Sequence, residues 1–239
     1  MAAEAQHETP DNTQGPAWGE PAPRQFRWPA SLAIIAAIAL YVWLPVRLTV
    51  QLQPALLAPG VLLIVVLALT IVAPYHTHNE PRCQRVISFA IIAVLSAANL
   101  VTLAKLADAL VHGGAAFKAL HIDPPTLLLA AVAIWLTNVL VFASWYWELD
   151  RGGPGARCNP RHREPDFFFT QMSAPEAARG RWTPGFVDYL FLAYTNATAF
   201  SPTDTLPLTY WAKGLMLVQS LASLLTVALV AARAVNILQ

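Results

Sequence analysis

Ionised side chains are scarce in this chain: 12% of its 239 residues are charged and 56% are hydrophobic. Soluble domains carry about 25% charged and about 45–50% apolar residues. A soluble helical protein would also need amphipathic stripes to make a wetted outer face, and too few are present. Cysteine is nearly absent. Cys83 and Cys158 are the only two, which excludes a disulfide framework. No phosphate-cradling glycine loop, Ser/His/acid set or metal-binding helix motif occurs, so neither an enzyme nor a cofactor is expected. His76, His78 and Cys83 have zinc-ligand chemistry, but their spacing matches no structural zinc motif, and no metal is expected. Net charge is +1, and no basic patch interleaved with aromatics points to nucleic acid. The first 28 residues lack the basic start of a secretory signal and read as a disordered polar tail.

What is present is long apolar sequence. Residues 31–46 and 54–74 contain no ionised side chain, and each approaches the roughly 20 residues that span a hydrocarbon core. Spans are expected at 29–46, 54–75, 86–111 and 124–147, with a last one at 206–238. Trp28 and Arg27 flank one end of the first, Trp43 and Arg47 the other, as interfacial anchoring requires. The expected fold is an all-α integral membrane protein: four transmembrane helices, a re-entrant half-helix and polar turn, then a final long transmembrane helix. The regions are the tail (1–28), the four-helix transmembrane part (29–147), an Arg/Gly/Pro-rich loop (148–183) and a pore-like C-terminal part (184–239). The lipid bilayer is the expected partner. Asn99 and Asn138 fall mid-span, where bonds between helices would satisfy their amides.

Trp145, Tyr146 and Trp147 form an aromatic belt at the end of the fourth span. Glu148 and Asp150 then begin the long loop, and pairing of either with Arg179 or Arg181 would dock it. Phe167, Phe168 and Phe169 within that loop would be costly in water, so this piece is expected to pack back on the helix ends.

Residues 185–200 make an apolar segment of about 24 Å as a helix, short of the roughly 30 Å core. Asp188 and Asn196 shorten its uncharged part further. It runs into a polar turn of Thr198, Ala199, Phe200, Ser201, Pro202, Thr203 and Asp204, and the next apolar segment starts at once. Two readings follow: a half-helix that re-enters, or a tilted, snorkelling span.

From Asp188 to Thr209 the chain resembles the pore region of potassium channels. Asp188 falls at the acidic residue that precedes the pore helix, and Leu190, Phe191 and Tyr194 fall on its apolar and aromatic positions. Thr198 matches the first threonine of the filter and Asp204 the acid that closes it. Pro207 and Thr209 match outer-mouth residues, and Lys213 the basic start of the inner helix. The resemblance implies a channel-like homo-oligomer, a tetramer. Ser201 and Thr203 stand where the family has glycines, and Pro202 stands where it has tyrosine. A potassium filter presents backbone carbonyls to a dehydrated ion, glycine reaches the conformations needed, and proline fixes φ. A potassium-type ladder is therefore not expected. Hydroxyls of Thr198, Ser201 and Thr203 with Asp204 would line a wider, hydrated opening, or the turn would cap the short helix and plug the bundle.

The C-terminal half is also similar to a family of uncharacterised multi-span bacterial membrane proteins. The likeness rests on the run from Trp145 to Asp150 with Gly152, Gly153 and Pro154, on Asp166 and Phe167, and on the run from Phe186 to Phe191. The turn from Ser201 to Asp204 and the run from Ala234 to Leu238 add to it. It implies a multi-pass protein of the bacterial inner membrane with undefined activity. The expected function is channel-like conduction through an oligomeric pore, or alternatively a non-conducting structural or accessory role in which the motif serves packing. Charge bias places the Arg-rich loop in the cytoplasm, whereas a potassium-channel pore loop enters from outside.

Overall fold

The computed structural model describes residues 22–44, 58–77, 81–111, 124–158, 164–174, 182–198 and 205–237, and the chain is mostly helical. The helices are α1 (Trp28–Trp43), α2 (Ala58–Val72), α3 (Arg82–Val111), α4 (Pro124–Leu149), the one-turn α5 (Pro154–Arg157), α6 (Phe186–Thr198) and α7 (Tyr210–Ile237). Among the described residues, three stretches are long and apolar enough to cross a membrane: Arg82–Asp108, Leu128–Gly152 and Tyr210–Ala232.

Proline sets the limits of the shorter helices. Pro29 opens α1 within its first turn, where its fixed φ suits a helix and its missing N–H costs nothing. Leu44, which precedes Pro45, is extended at φ −57° and ψ 143°, because the proline ring disfavours a helical residue before it. At 16 residues, α1 measures about 24 Å, less than a full crossing. Pro74 ends α2 in the same way, and Arg27 seals that end: its backbone N–H donates to the Pro74 carbonyl at 2.9 Å and its Nε to the Ala73 carbonyl at 2.9 Å.

The central helix is α4, the most buried of the three long ones, with α1, α3, α6 and α7 packed around it. At one end of the bundle, Leu44, Leu103, Leu106, Ala130, Ile134 and Ala222 form an apolar cluster. Aromatic residues dominate the opposite end, where Tyr146, Trp147, Phe167, Phe186 and Tyr189 are buried together.

Helices are not the whole fold. Two antiparallel ribbons close the aromatic end: β1 (Gln25–Phe26) with β2 (Tyr75–His76), and β3 (Phe167–Phe169) with β4 (Thr205–Pro207). The second pairs Phe167 with Pro207, Phe168 with Leu206 and Phe169 with Thr205. Strand side chains alternate, so Phe167 and Phe169 are buried while Phe168 is half-buried. Pro207 is tolerated because the ribbon needs no second partner there. The three phenylalanines thus sit against the helix ends as part of the core.

Candidate functional site

The aromatic end is organised by a tight reversal after α4. Arg151 is left-handed at φ 54°, followed by Gly152 at 82° and Gly153 at 99°. A Cβ on Gly153 would lie 2.8 Å from the Glu148 carbonyl oxygen, so glycine is required there for both conformation and room. The reversal returns Arg157 beneath the helix it has just left. Its Nη1 donates to the carbonyls of Trp147 at 2.9 Å and Asp150 at 3.0 Å. The Trp147 carbonyl is one of the α4 C-terminal acceptors, where the helix dipole also favours a cation, and the Asp150 carbonyl accepts the Gly153 N–H as well, at 2.8 Å. Nε and Nη2 donate to Oε1 of Gln25 at 3.3 and 3.1 Å, and Gln25 Nε2 donates to the Pro184 carbonyl at 3.2 Å. One buried guanidinium therefore ties β1, α4 and the approach to α6 together.

Asp150 is the matching buried anion. Its Oδ2 accepts from the Tyr189 hydroxyl at 2.5 Å and lies 3.6 Å from Arg151 Nε. Its Oδ1 accepts from the backbone N–H of Asp166 at 2.9 Å and of Phe167 at 3.3 Å. Asp166 reciprocates, Oδ2 accepting from the Arg151 N–H at 2.7 Å and Oδ1 from Trp211 Nε1 at 3.0 Å. Burial, with Asp150 adding to it and Arg157 opposing, pushes the Tyr189 phenol well above its ordinary value, so the hydroxyl is a proton donor. Arg179 and Arg181, the expected partners of Glu148 and Asp150, lie outside the described residues. Glu148 itself is buried in the last turn of α4.

Beneath this lies a polar seam inside the bundle. Gln219 of α7 is fully buried. Its Oε1 accepts from the Tyr146 hydroxyl at 2.6 Å and from Asn196 Nδ2 at 2.8 Å, while its Nε2 donates to the Ala193 carbonyl at 2.8 Å. Asn196 Nδ2 also donates to the Met216 carbonyl at 3.0 Å, and Asn196 Oδ1 accepts from Ser220 Oγ at 3.1 Å. Farther along, Asn138 Nδ2 donates to Ser223 Oγ at 2.9 Å. The expected interhelical role of Asn138 is met on its nitrogen side, while Asn99 is buried in α3.

The residues singled out for a pore are placed as follows. Asp188 is in the first turn of α6, where Oδ2 accepts the Gly185 N–H at 2.7 Å, a third-position carboxylate closing the helix start. Burial raises its pKa above the ordinary value, with the Gly185 bond opposing. Thr198 ends α6, exposed, its hydroxyl donating to the carbonyls of Tyr194 at 2.9 Å and Thr195 at 3.3 Å. Ala199, Phe200, Ser201, Pro202, Thr203 and Asp204 lie outside the described residues. His76 is buried and Cys83 exposed, and no group of three or more metal-ligand side chains gathers among the described residues.

Sequence reasoning missed Arg157, Gln25 and Gln219. The last left a signal, a lone amide in a charge-free stretch of a long apolar helix. Arg157 left none, because an arginine in a Gly/Pro-rich loop reads as wet. Compared with protein-family models, curated proteins and solved structures, the chain matches none of them.

Proposed function

We propose that this chain is a multi-pass integral protein of the cell membrane in which α6 and the return to β4 form a re-entrant hairpin. Copies would assemble so that these hairpins surround a shared axis that conducts cations without a potassium-type filter. The observation that carries the reading is the common origin of α6 and α7. Phe167 meets Tyr189 near the start of α6 at 6.4 Å and Trp211 near the start of α7 at 5.7 Å. Asn196, near the end of α6, bonds to Met216 and Gln219, one to two turns further along α7 than Trp211. Both helices therefore run inward from the aromatic end. With 13 residues, α6 is about 20 Å long and reaches partway into a core of about 30 Å. Thr205 follows Thr198 by seven residues, a reach of at most about 25 Å, enough to come back.

Two further features support conduction. The inner end of α6 carries the negative end of its dipole, which favours a cation, as the ends of half-helices do in transporters. Val187, Phe191 and Tyr194 form an exposed apolar stripe on α6, which a second copy would cover. The non-conducting reading is favoured by a different fact: Asn196 and Gln219 are bonded within a single chain, so the seam by itself needs no axis. Flux decides between them. Purified protein in liposomes is expected to pass monovalent cations above protein-free controls and to run as an oligomer in mild detergent. A monomer without flux would remove the conducting reading and leave the packing role.

A further inference from the structure

We propose that the groove at the aromatic end of the bundle binds the headgroup of an ethanolamine phospholipid, its phosphate on Arg85 and its ammonium between Glu164 and Asp166. The proposal rests on the membrane reading above. The groove encloses about 460 Å³ and is lined by Arg85, Trp145, Glu164, Asp166, Trp211 and Leu215. Small-molecule sites occupy about 300–1,000 Å³, so a headgroup with its glycerol fits.

Its walls carry both signs of charge. Arg85 lies 5.2 Å from the Phe89 ring centroid, and Phe89 stacks on Trp145 at 5.7 Å, so the cation rests on an aromatic shelf. Its Nε is buried with no hydrogen-bond partner among the described residues. A guanidinium so placed suits a phosphate, which it can bind through two parallel N–H groups. In the same lining, Asp166 is fixed by Trp211 Nε1 and the Arg151 N–H. Both donors are neutral, and Glu164 adds a second carboxylate to the lining.

Among the described residues the lining carries one guanidinium and two carboxylates, a set that discriminates among lipids. A singly anionic headgroup would satisfy Arg85 and meet two like charges, which complementarity penalises. A zwitterion places phosphate and ammonium a few bonds apart, matching the groove in sign. A primary ammonium offers three N–H donors to the carboxylates, whereas a quaternary one offers none. The level is also right, because Trp145 and Trp211 mark the interfacial depth at which headgroups lie. From Leu215 the exposed Val218, Leu221 and Leu225 continue along α7 at helical spacing, an apolar track for the acyl chains.

Delipidated protein is to be incubated with equal amounts of phosphatidylethanolamine, phosphatidylcholine and phosphatidylglycerol, and retained lipid read by native mass spectrometry. About tenfold preference for the ethanolamine lipid over the glycerol lipid is expected, a smaller one over the choline lipid, and a loss of both preferences in Arg85→Gln and Glu164→Gln. Glu164 is exposed, so its variant carries the test if Arg85→Gln misfolds. Equal or stronger retention of the glycerol lipid, equal retention of the choline lipid, or a preference unchanged by Glu164→Gln would overturn the proposal. Release of the protein from membranes by an alkaline wash would instead overturn the membrane reading, whatever lipid is retained.

Discussion

The guanidinium of Arg157 lies over the indole of Trp147, 4.4 Å from its centroid, and donates to that residue's own carbonyl at 2.9 Å. It also stands 5.4 Å from the Tyr189 ring centroid, and Tyr189 holds Asp150. Cation, aromatic faces, helix end and anion therefore form one unit. Removing the cation takes its donors from the Trp147 and Asp150 carbonyls and from Gln25 Oε1, all away from water. Arg157→Met is expected to cost about 3–5 kcal/mol, the range for breaking a buried charge set. Arg157→Lys should recover part of this, since a lysine cannot reproduce the planar fork. Thermal unfolding in detergent measures both. A methionine variant as stable as the parent would mean that the helix end finds other donors.

The turn that delivers Arg157 gives a sharper test, because two other glycines act as controls. Gly153→Ala must hold a left-handed φ of 99° and bring its Cβ to 2.8 Å from a carbonyl oxygen. The expected loss is about 2 kcal/mol or more. Gly60 in α2 and Gly214 in α7 have nothing within 4 Å of an added Cβ. Alanine at those two sites is expected to stabilise by about 0.5–1 kcal/mol through helix propensity. Opposite signs in one thermal-shift series would establish the contrast, and equal signs would remove it.

Coupling in the polar seam is measurable by a double-mutant cycle on Tyr146→Phe and Gln219→Leu. Gln219 Oε1 accepts from both Tyr146 and Asn196, so Tyr146→Phe leaves it the Asn196 donor, whereas Gln219→Leu strands the buried Tyr146 hydroxyl, at about 1–3 kcal/mol. The double variant should cost less than the sum. Interhelical bonds in membrane proteins average about 0.6 kcal/mol and reach about 1.7, and a coupling energy in that range is expected. Strict additivity would mean that the bond contributes nothing net.

How far the sequence reached depends on whether the cause of each feature is local. Hydropathy is local, so the segments expected at 86–111, 124–147 and 206–238 overlap α3, α4 and α7, although α7 starts only at Tyr210 because Leu206 and Pro207 pair with β3. Proline is local too, yet the expected first span ran past Trp43 because apolar content was weighed above the restriction that Pro45 places on Leu44. The β3–β4 ribbon joins segments almost forty residues apart through three pairs, too few for a period-two pattern to stand out. Phe167 to Phe169 gave away their burial by being apolar, and nothing about their partner strand. The fixed place of Asp150 follows from Tyr189 and two backbone N–H groups, which only the folded chain brings together. Carbonyl acceptors at the end of α4 and the Gln25 amide hold the buried Arg157, and no motif records them.

Asp188 links stability to pH. Burial raises its pKa in the folded state, so the native chain holds that proton more tightly than the unfolded one. The group's contribution is therefore fully present below the ordinary carboxylate range and declines as pH rises through the raised value. Because the residue is only partly buried, solvent screening keeps the effect small. Asp188→Asn keeps an acceptor for the Gly185 N–H and cannot titrate. Its melting temperature should vary less between acid and neutral pH than the parent's. Parallel profiles would show that Asp188 is not the group responsible.

The direction of α6 is open to a test that needs no knowledge of conduction. Val187 is 71% exposed at the start of α6 and Leu206 is 61% exposed in β4, on either side of the short helix and its return. If α6 enters the lipid and comes back, the two positions share a face of the membrane. With Cys83 and Cys158 replaced by alanine, Val187→Cys and Leu206→Cys should both react with an impermeant thiol reagent from the same side. The Phe168 and Leu206 register adds a geometric arm, since the Cα atoms of directly opposed antiparallel residues are about 4.5–5.5 Å apart, within the Cα separation a disulfide bridges. A Phe168→Cys, Leu206→Cys pair should therefore cross-link within one chain under mild oxidation. Labelling from opposite sides, with no cross-link, would make α6 a plain crossing, and the hairpin would fall with it. Same-side labelling with the cross-link would leave a partly inserted helix that turns back, because a 13-residue helix bonded along its length to α4 and α7 has no other route to β4.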